Sequence, residues 1–202
     1  MCHIEAVGIE VVNDSMNIAV IVGLGNPGEK YAPTRHNVGQ WLLARLAPPN
    51  GLLAEKKVLG DVAQLSIAGT TIRLMRPATY MNESGRAVRR MLDFYKLDPA
   101  QLLVLHDELD LPPGTNRLKR GGGHGGHNGL RDIISHCGND FMRLRIGIGH
   151  PGDKSLVTAF VLKPPGTAER ALIEDSFPDA ERAIEILLRD GAEKAMHFLH
   201  TS

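Results

Sequence analysis

A histidine just ahead of a helix and an aspartate just behind a buried strand are the side chains of this sequence best placed to do chemistry. His36 stands in Arg35-His36-Asn37, after a glycine-rich loop and before an apolar helical stripe, where α/β proteins usually hold reacting groups. Asp107 follows the apolar run 102–105 in His106-Asp107-Glu108-Leu109-Asp110. A carboxylate there can orient one ring nitrogen of His36 and leave the other free as a general base. A third segment, residues 121–129, reads GGGHGGHNG, six glycines in nine residues broken only by His124, His127 and Asn128. No packed element wants that composition, and two imidazoles and a carboxamide among glycines suggest a shaped loop that approaches a ligand closely. A metal held by His124 and His127 with Asp107 or Asp110 is a rival reading. His-x-x-His on a glycine loop matches no established zinc spacing, and the sequence places no third ligand. Asn82, in Tyr80-Met81-Asn82-Glu83-Ser84, suits an N-cap for the helix that follows or a substrate contact, and one role does not exclude the other.

The loop Gly23-Leu24-Gly25-Asn26-Pro27-Gly28 has the G-x-G-x-x-G spacing of a dinucleotide fingerprint. A true fingerprint opens a helix at once onto the pyrophosphate, whereas Tyr31, Pro33 and Thr34 prolong this loop to His36. Nothing acidic lies between Glu29 and Glu55 to take a ribose hydroxyl. The glycines instead let the chain turn sharply and bring Asn26 and His36 to the end of the preceding strand. The sequence also lacks a Gly-x-Ser-x-Gly elbow, a Walker loop and a cysteine–histidine signature, which removes most covalent and nucleotide-triphosphate chemistry. What remains points to a hydrolase that activates water against an already reactive bond.

These groups need elements to hold them. The β-branched run 18–23 reads as a central strand buried on both faces. Val38, Trp41, Leu42, Leu43 and Leu46 recur at helical spacing until Pro48-Pro49 stops them. Residues 55–67 and 70–76, parted by Ala68-Gly69, read as a hairpin. A helix is expected over 84–95, a buried strand over 102–106, a strand near 115–120, a helix near 128–136 and a strand over 143–149. Helices then follow over 155–161 and 167–190, with Pro178 best placed in the first turn of a new helix. Strands alternating with helices imply a single-domain α/β fold: a mixed, largely parallel twisted sheet layered between helices, with the hairpin supplying antiparallel neighbours.

The chain's 202 residues, 43% of them apolar and 23% charged, suit one soluble globular domain and exclude a disordered or low-complexity chain. No apolar run reaches the length of a membrane span. Residues 1–15 lack a signal-peptide core, and Cys2 and Cys137 sit in no redox or metal spacing, so a reduced, cytoplasmic protein is expected. The net charge of zero hides an asymmetry. From residue 115 to 145 six bases face two acids, while from 169 to 194 eight acids face four bases. Polyanions should prefer the first segment, unless both are merely solvated faces.

Taken in order, VGLGNPG, TRHN, RPATYMNESG, HDELDLPPG, GGGHGGHNGL and RLRIGIGHPG closely resemble the bacterial-type peptidyl-tRNA hydrolase family from about residue 17 to the C-terminus. The resemblance implies a monomeric α/β enzyme, without metal or cofactor, that cleaves the ester between a peptide and the 3′ ribose of tRNA. Carried over by position, it makes His36 the general base and Asp107 its orienter. It has Asn26, Asn82 and Asn128 bind the peptide and place the water or polarise the carbonyl. Tyr31, Tyr80, Met81 and His127 would line the cleft, Tyr80 standing where the family more often has Phe. Lys119 and Arg145 match basic positions linked to the tRNA phosphate end. Residues 1–15 have no counterpart and are expected to be a disordered extension or a misassigned start ahead of Met16, leaving 16–202 as the domain. Two readings of other classes remain beside it, a non-catalytic RNA-binding module and a metal-dependent hydrolase.

Overall fold

In the computed structural model the described residues, 17–201, run through β1 (Val20–Gly23), α1 (Val38–Leu46), β2 (Leu53–Glu55), β3 (Gly60–Ile67), β4 (Thr70–Pro77), α2 (Ser84–Tyr95) and β5 (Leu102–Glu108). They continue through β6 (Asn116–Arg120), α3 (Asn128–Cys137), β7 (Met142–Gly147), α4 (Val157–Val161), α5 (Thr167–Asp175), α6 (Phe177–Asp190) and α7 (Ala192–Thr201). The extension expected over 1–15 lies outside the described residues. One seven-stranded sheet has the order β2-β3-β4-β1-β5-β7-β6. Its centre, β4-β1-β5-β7, is parallel, and β2, β3 and β6 add antiparallel edges.

Strand alternation divides the core. Val20 and Val22 of β1, with Leu102 and Val104 of β5, pack on Val88, Met91 and Leu92 of α2 and Ile133 of α3. Ile21, Leu103 and Leu105 point to the opposite face, against Leu42 of α1, Ile184 and Leu187 of α6 and Leu199 of α7. Successive side chains of a strand leave on opposite faces, so a strand covered by helices on both sides must be apolar throughout. Burying a side chain of this size stabilises by about 1.5–3 kcal/mol, enough to fix strand register from these runs.

Two departures from the sequence reading have local causes. The strand expected over 55–67 is broken at 56–59, where Leu59 takes a left-handed φ of 55° and Val58 tucks into the core fully buried; this creates β2 as a separate edge. The helical stretch 167–190 is two helices, with Pro178 in the first turn of α6 as its position led one to expect. Beyond Gly191 (φ 92°) the chain forms α7, absent from the expected elements. Its buried Ala195 and Leu199 are an i, i+4 pair that carried the signal.

Candidate active site

His36 lies in a 3-10 turn, Arg35–Asn37, that leads straight into α1. The turn is held against the end of β5 because α1 comes unusually close there. A Cβ on Gly39 would sit 2.2 Å from the carbonyl oxygen of Leu105, a distance only glycine permits. Asn37 ties the turn to the preceding loop: its Oδ1 accepts from the Asn26 N–H at 2.9 Å and its Nδ2 donates to the Asn26 carbonyl at 2.9 Å. The guanidinium of Arg35 donates to both carboxylate oxygens of Glu169 at 2.6 and 2.7 Å. Its Nη1 also reaches the carbonyls of Phe160, Lys163 and Pro164, so the segment holding α4 is fastened beside His36.

This scaffold brings His36 Nδ1 to 2.9 Å from each carboxylate oxygen of Asp107. Both residues are buried, at 7% and 4% exposure. Asp107 is also held from the other side, because His127 Nε2 lies 2.8 Å from its Oδ1. His127 is the N-cap of α3, where its Nδ1 accepts from the N–H groups of Gly129 and Leu130 at 3.1 and 3.2 Å. An imidazole nitrogen that accepts bears no proton, so the proton of neutral His127 is on Nε2 and is donated to Asp107. His36 likewise donates from Nδ1, which leaves its Nε2 lone pair as the available base. Burial lowers the pKa of His36, but the charge of Asp107 and its hydrogen bond outweigh this and raise it. Burial alone would lift the Asp107 carboxyl; the two imidazoles overcome that and hold it well below the usual carboxylate range. His106 donates from Nδ1 to the Asp107 carbonyl at 2.7 Å. Complete burial, with His127 beside it, pushes its pKa down to about 3 and keeps it neutral.

The group opens into a cleft of about 960 Å³. Asn26, Asn82 and Asn128 all line it, but they offer different atoms. The Oδ1 of Asn26 accepts from Met81 N–H at 2.8 Å, and that of Asn128 accepts from Arg131 Nη1 at 2.8 Å. Each therefore presents amide N–H groups to the cleft. Asn82 caps no helix: the 3-10 turn Met81–Glu83 has Tyr80 at its N-cap, α2 has Glu83, and neither end receives a side-chain hydrogen bond. Its exposed carboxamide has no partner at either end among the described residues, which leaves the capping role unfilled. Met81 and His127 line the cleft as well. Tyr31 and Tyr80 instead meet edge to face, 6.3 Å between ring centroids, and neither is among the lining residues.

Lys119 and Arg145, on neighbouring antiparallel strands, line the cleft together with Arg143. Arg145 Nε donates to Glu108 at 2.8 Å, and Arg143 reaches the glycine loop (below). The sequence reading missed Arg143, Arg35 and Asn37 as parts of the site. Two arginines on alternate positions of a strand, Arg143 and Arg145, were the available signal for the first.

Fold and site together define an α/β protein that holds a histidine–aspartate pair at the carboxyl ends of the parallel strands of a mixed sheet, an arrangement able to supply a general base. The family model described as peptidyl-tRNA hydrolase matches residues 20–202. The peptidyl-tRNA hydrolase of Pectobacterium carotovorum is 55% identical over 188 residues, covering 91% of this chain and 96% of the relative. That of Pasteurella multocida is 51% identical over 187 residues, with the same coverages. A crystal structure of peptidyl-tRNA hydrolase from Acinetobacter baumannii superposes with a TM-score of 0.87 at 45% identity, over 91% of this chain and 95% of that one. The chain belongs to the peptidyl-tRNA hydrolase family.

Proposed function

We propose that this protein hydrolyses the ester joining a peptide, or an N-blocked amino acid, to the 3′ ribose of tRNA, with His36 as general base, and so returns tRNA to translation. The observation that carries the mechanism is the imidazole nitrogen left free beside Asp107, Nε2 of His36, once Nδ1 is engaged by the carboxylate. A water at that nitrogen loses its proton as it attacks the ester carbonyl. A positioned base of this kind contributes about 10²–10⁴-fold. The amide N–H groups of Asn26 and Asn128 support the carbonyl oxygen as it gains charge. Asn82, with both ends free, can pair the N–H and C=O of a peptide unit. A free aminoacyl ester lacks that unit and would leave the carboxamide unpaired, which favours peptidyl over aminoacyl esters.

The reading uses no metal. Ligand atoms of His36, Asp107 and His127 lie within 4.8 Å of one another, a spacing a divalent ion could use. His127, however, accepts backbone N–H groups at Nδ1, so a metal at Nε2 would require an imidazolate or a broken cap on α3. The proposal includes a monomer acting in the cytoplasm; among the described residues no helix is long and apolar enough to cross a membrane. Release of N-acetylated amino acid from its tRNA by the purified protein in excess EDTA is the deciding assay. Undiminished turnover supports the reading, binding without turnover would favour an RNA-binding module, and abolition by EDTA would favour a metal enzyme.

A further inference from the structure

Arg143 is 3% exposed and pairs with no carboxylate among the described residues. Glu108, the acid whose charge acts on Arg143, spends one oxygen on Arg145 and the other on the Asp110 N–H. The guanidinium of Arg143 instead lies 4.9 Å from the centroid of the Phe141 ring, and it donates from Nη2 to the Gly122 carbonyl at 2.5 Å and from Nη1 to the Gly123 carbonyl at 2.6 Å. A buried cation is costly unless its hydrogen bonds are met; here two backbone carbonyls take Nη1 and Nη2 in place of an acid, while Nε has no partner among the described residues.

The loop it grips could not hold its shape alone. Gly121, Gly122, Gly125 and Gly126 all have positive φ, from 57° to 91°, and glycine loses more conformational freedom on ordering than any other residue. The loop begins on the Gly121 N–H bond to Phe141 and ends at His127, which reaches Asp107, and Asn128, which lines the cleft. Between these ends the fork of Arg143 is the tie to the sheet. We propose that Arg143 is a positioning residue: its fork on the Gly122 and Gly123 carbonyls holds the glycine loop where His127 meets Asp107 and Asn128 faces the substrate. This rests on the function proposed above for His36, Asp107 and Asn128.

The test uses an N-acetyl-aminoacyl ester of adenosine, which has no tRNA body, so that lost phosphate contacts do not register. Arg143→Met removes the fork and keeps an apolar stem over Phe141; Arg143→Lys keeps the charge but replaces the planar fork by a single ammonium group. We expect kcat to fall about 10²-fold in Arg143→Met, the loss typical of a catalytic group misplaced by an ångström, with a smaller change in KM and partial recovery in Arg143→Lys. The groups facing His36 are Asp107 from β5 and His127 from the head of α3, with His106 edge-on to His127. When His127 no longer shares Asp107, the full carboxylate charge falls on His36, and the acid limb of the pH–rate profile moves to higher pH. A general loss of folded protein would lower the rate without moving that limb.

Unchanged kcat and pH profile in both variants, with weaker binding of full-length peptidyl-tRNA, would make Arg143 a phosphate contact and overturn the proposal. So would a loss of rate that follows the melting temperature and leaves the limb in place. If Arg143→Met does not fold, Arg143→Lys is read by the same two criteria. His36→Ala run alongside separates the layers: if it keeps its activity the assignment of the base fails, whereas an inactive His36→Ala beside normal Arg143 variants rejects the loop clamp alone.

Discussion

His36 feels two opposed influences, burial against its charged form and Asp107 in favour of it, and the second prevails. If the neutral ring is the base, as proposed, kcat should rise with pH through a midpoint above that of an ordinary histidine and then level off. Replacing Asp107 by Asn removes the raising influence and leaves the burial. The midpoint should then move to lower pH, with a loss of rate milder than in His36→Ala, which should lose about 10²–10⁴-fold while still binding tRNA. A midpoint that stays put in Asp107→Asn would show that the carboxylate does not govern the base. His106 makes a separate prediction about stability. Its folded pKa is pushed down to about 3 from an ordinary 6.5, so below pH 6.5 the unfolded chain binds a proton that the folded chain refuses. Stability supplied by this site is complete above pH 6.5 and is lost as pH falls towards 3, by up to about 1.4 kcal/mol per pH unit. Urea unfolding at pH 7 and pH 5 should therefore show a larger drop for the wild type than for His106→Asn, whose side-chain N–H can still reach the Asp107 carbonyl. Equal drops would mean that His106 takes up its proton in the folded state.

At the scale of elements, the site depends on how near α1 can approach β5. Gly39→Ala places a methyl group 2.2 Å from the Leu105 carbonyl oxygen, and since the clash is with backbone, the helix must back away. Overpacking of this kind costs about 1–3 kcal/mol. The same retreat draws His36 from Asp107, so the rate per folded molecule should fall too. Urea titration with active-site counting separates the two effects, and a Gly39→Ala protein of normal stability and rate would show that α1 does not set this distance. The sequence disclosed the elements where their signals are local. The apolar runs of β1 and β5 and the stripes of α1 and α2 could be read directly, as could the place of His36 before a helix and Asp107 after a strand. It hid features that depend on partners far along the chain: Arg35 finds Glu169 across 134 positions, and Arg143 finds Gly122 across 21. The start of α3 near residue 128 could be read, but not that His127, its cap, turns Nε2 onto Asp107 across 20 positions.

For the whole molecule, the zero net charge resolves into two unlike halves. The acids of the 169–194 segment are largely spent on neighbours, Glu169 on Arg35, Glu181 on Arg45, Glu174 on Arg170 and Glu185 on Arg182, mostly in exposed pairs of little energetic weight. In the basic segment Arg120 pairs with Asp140, while Lys119, Arg143 and Arg145 line the cleft together with Glu108, which pairs with Arg145, and with Asp107 and Asp110. Lys119 and Arg143 are strand partners with Arg145 two positions on, so bases gather on this wall of the cleft, where a tRNA phosphate would be drawn. If Lys119 and Arg145 clamp one phosphate, substituting either by Ala should weaken binding of peptidyl-tRNA and leave hydrolysis of an adenosine ester without the tRNA body unchanged. The two losses should differ. Lys119→Ala removes a cation, whereas Arg145→Ala also frees the Glu108 carboxylate to repel the phosphate, so the second variant should bind more weakly. Restoring part of that loss in Arg145→Ala/Glu108→Gln would identify the repulsion as its cause. Each lost contact should also flatten the plot of log affinity against log salt by about 0.7–0.9. The Lys119→Ala/Arg145→Ala protein should lose less than the sum of its parts, since a phosphate released by one partner is no longer held for the other. Equal losses on the full and truncated substrates, with an unaltered salt slope, would instead place the damage in the fold and withdraw the phosphate from this pair.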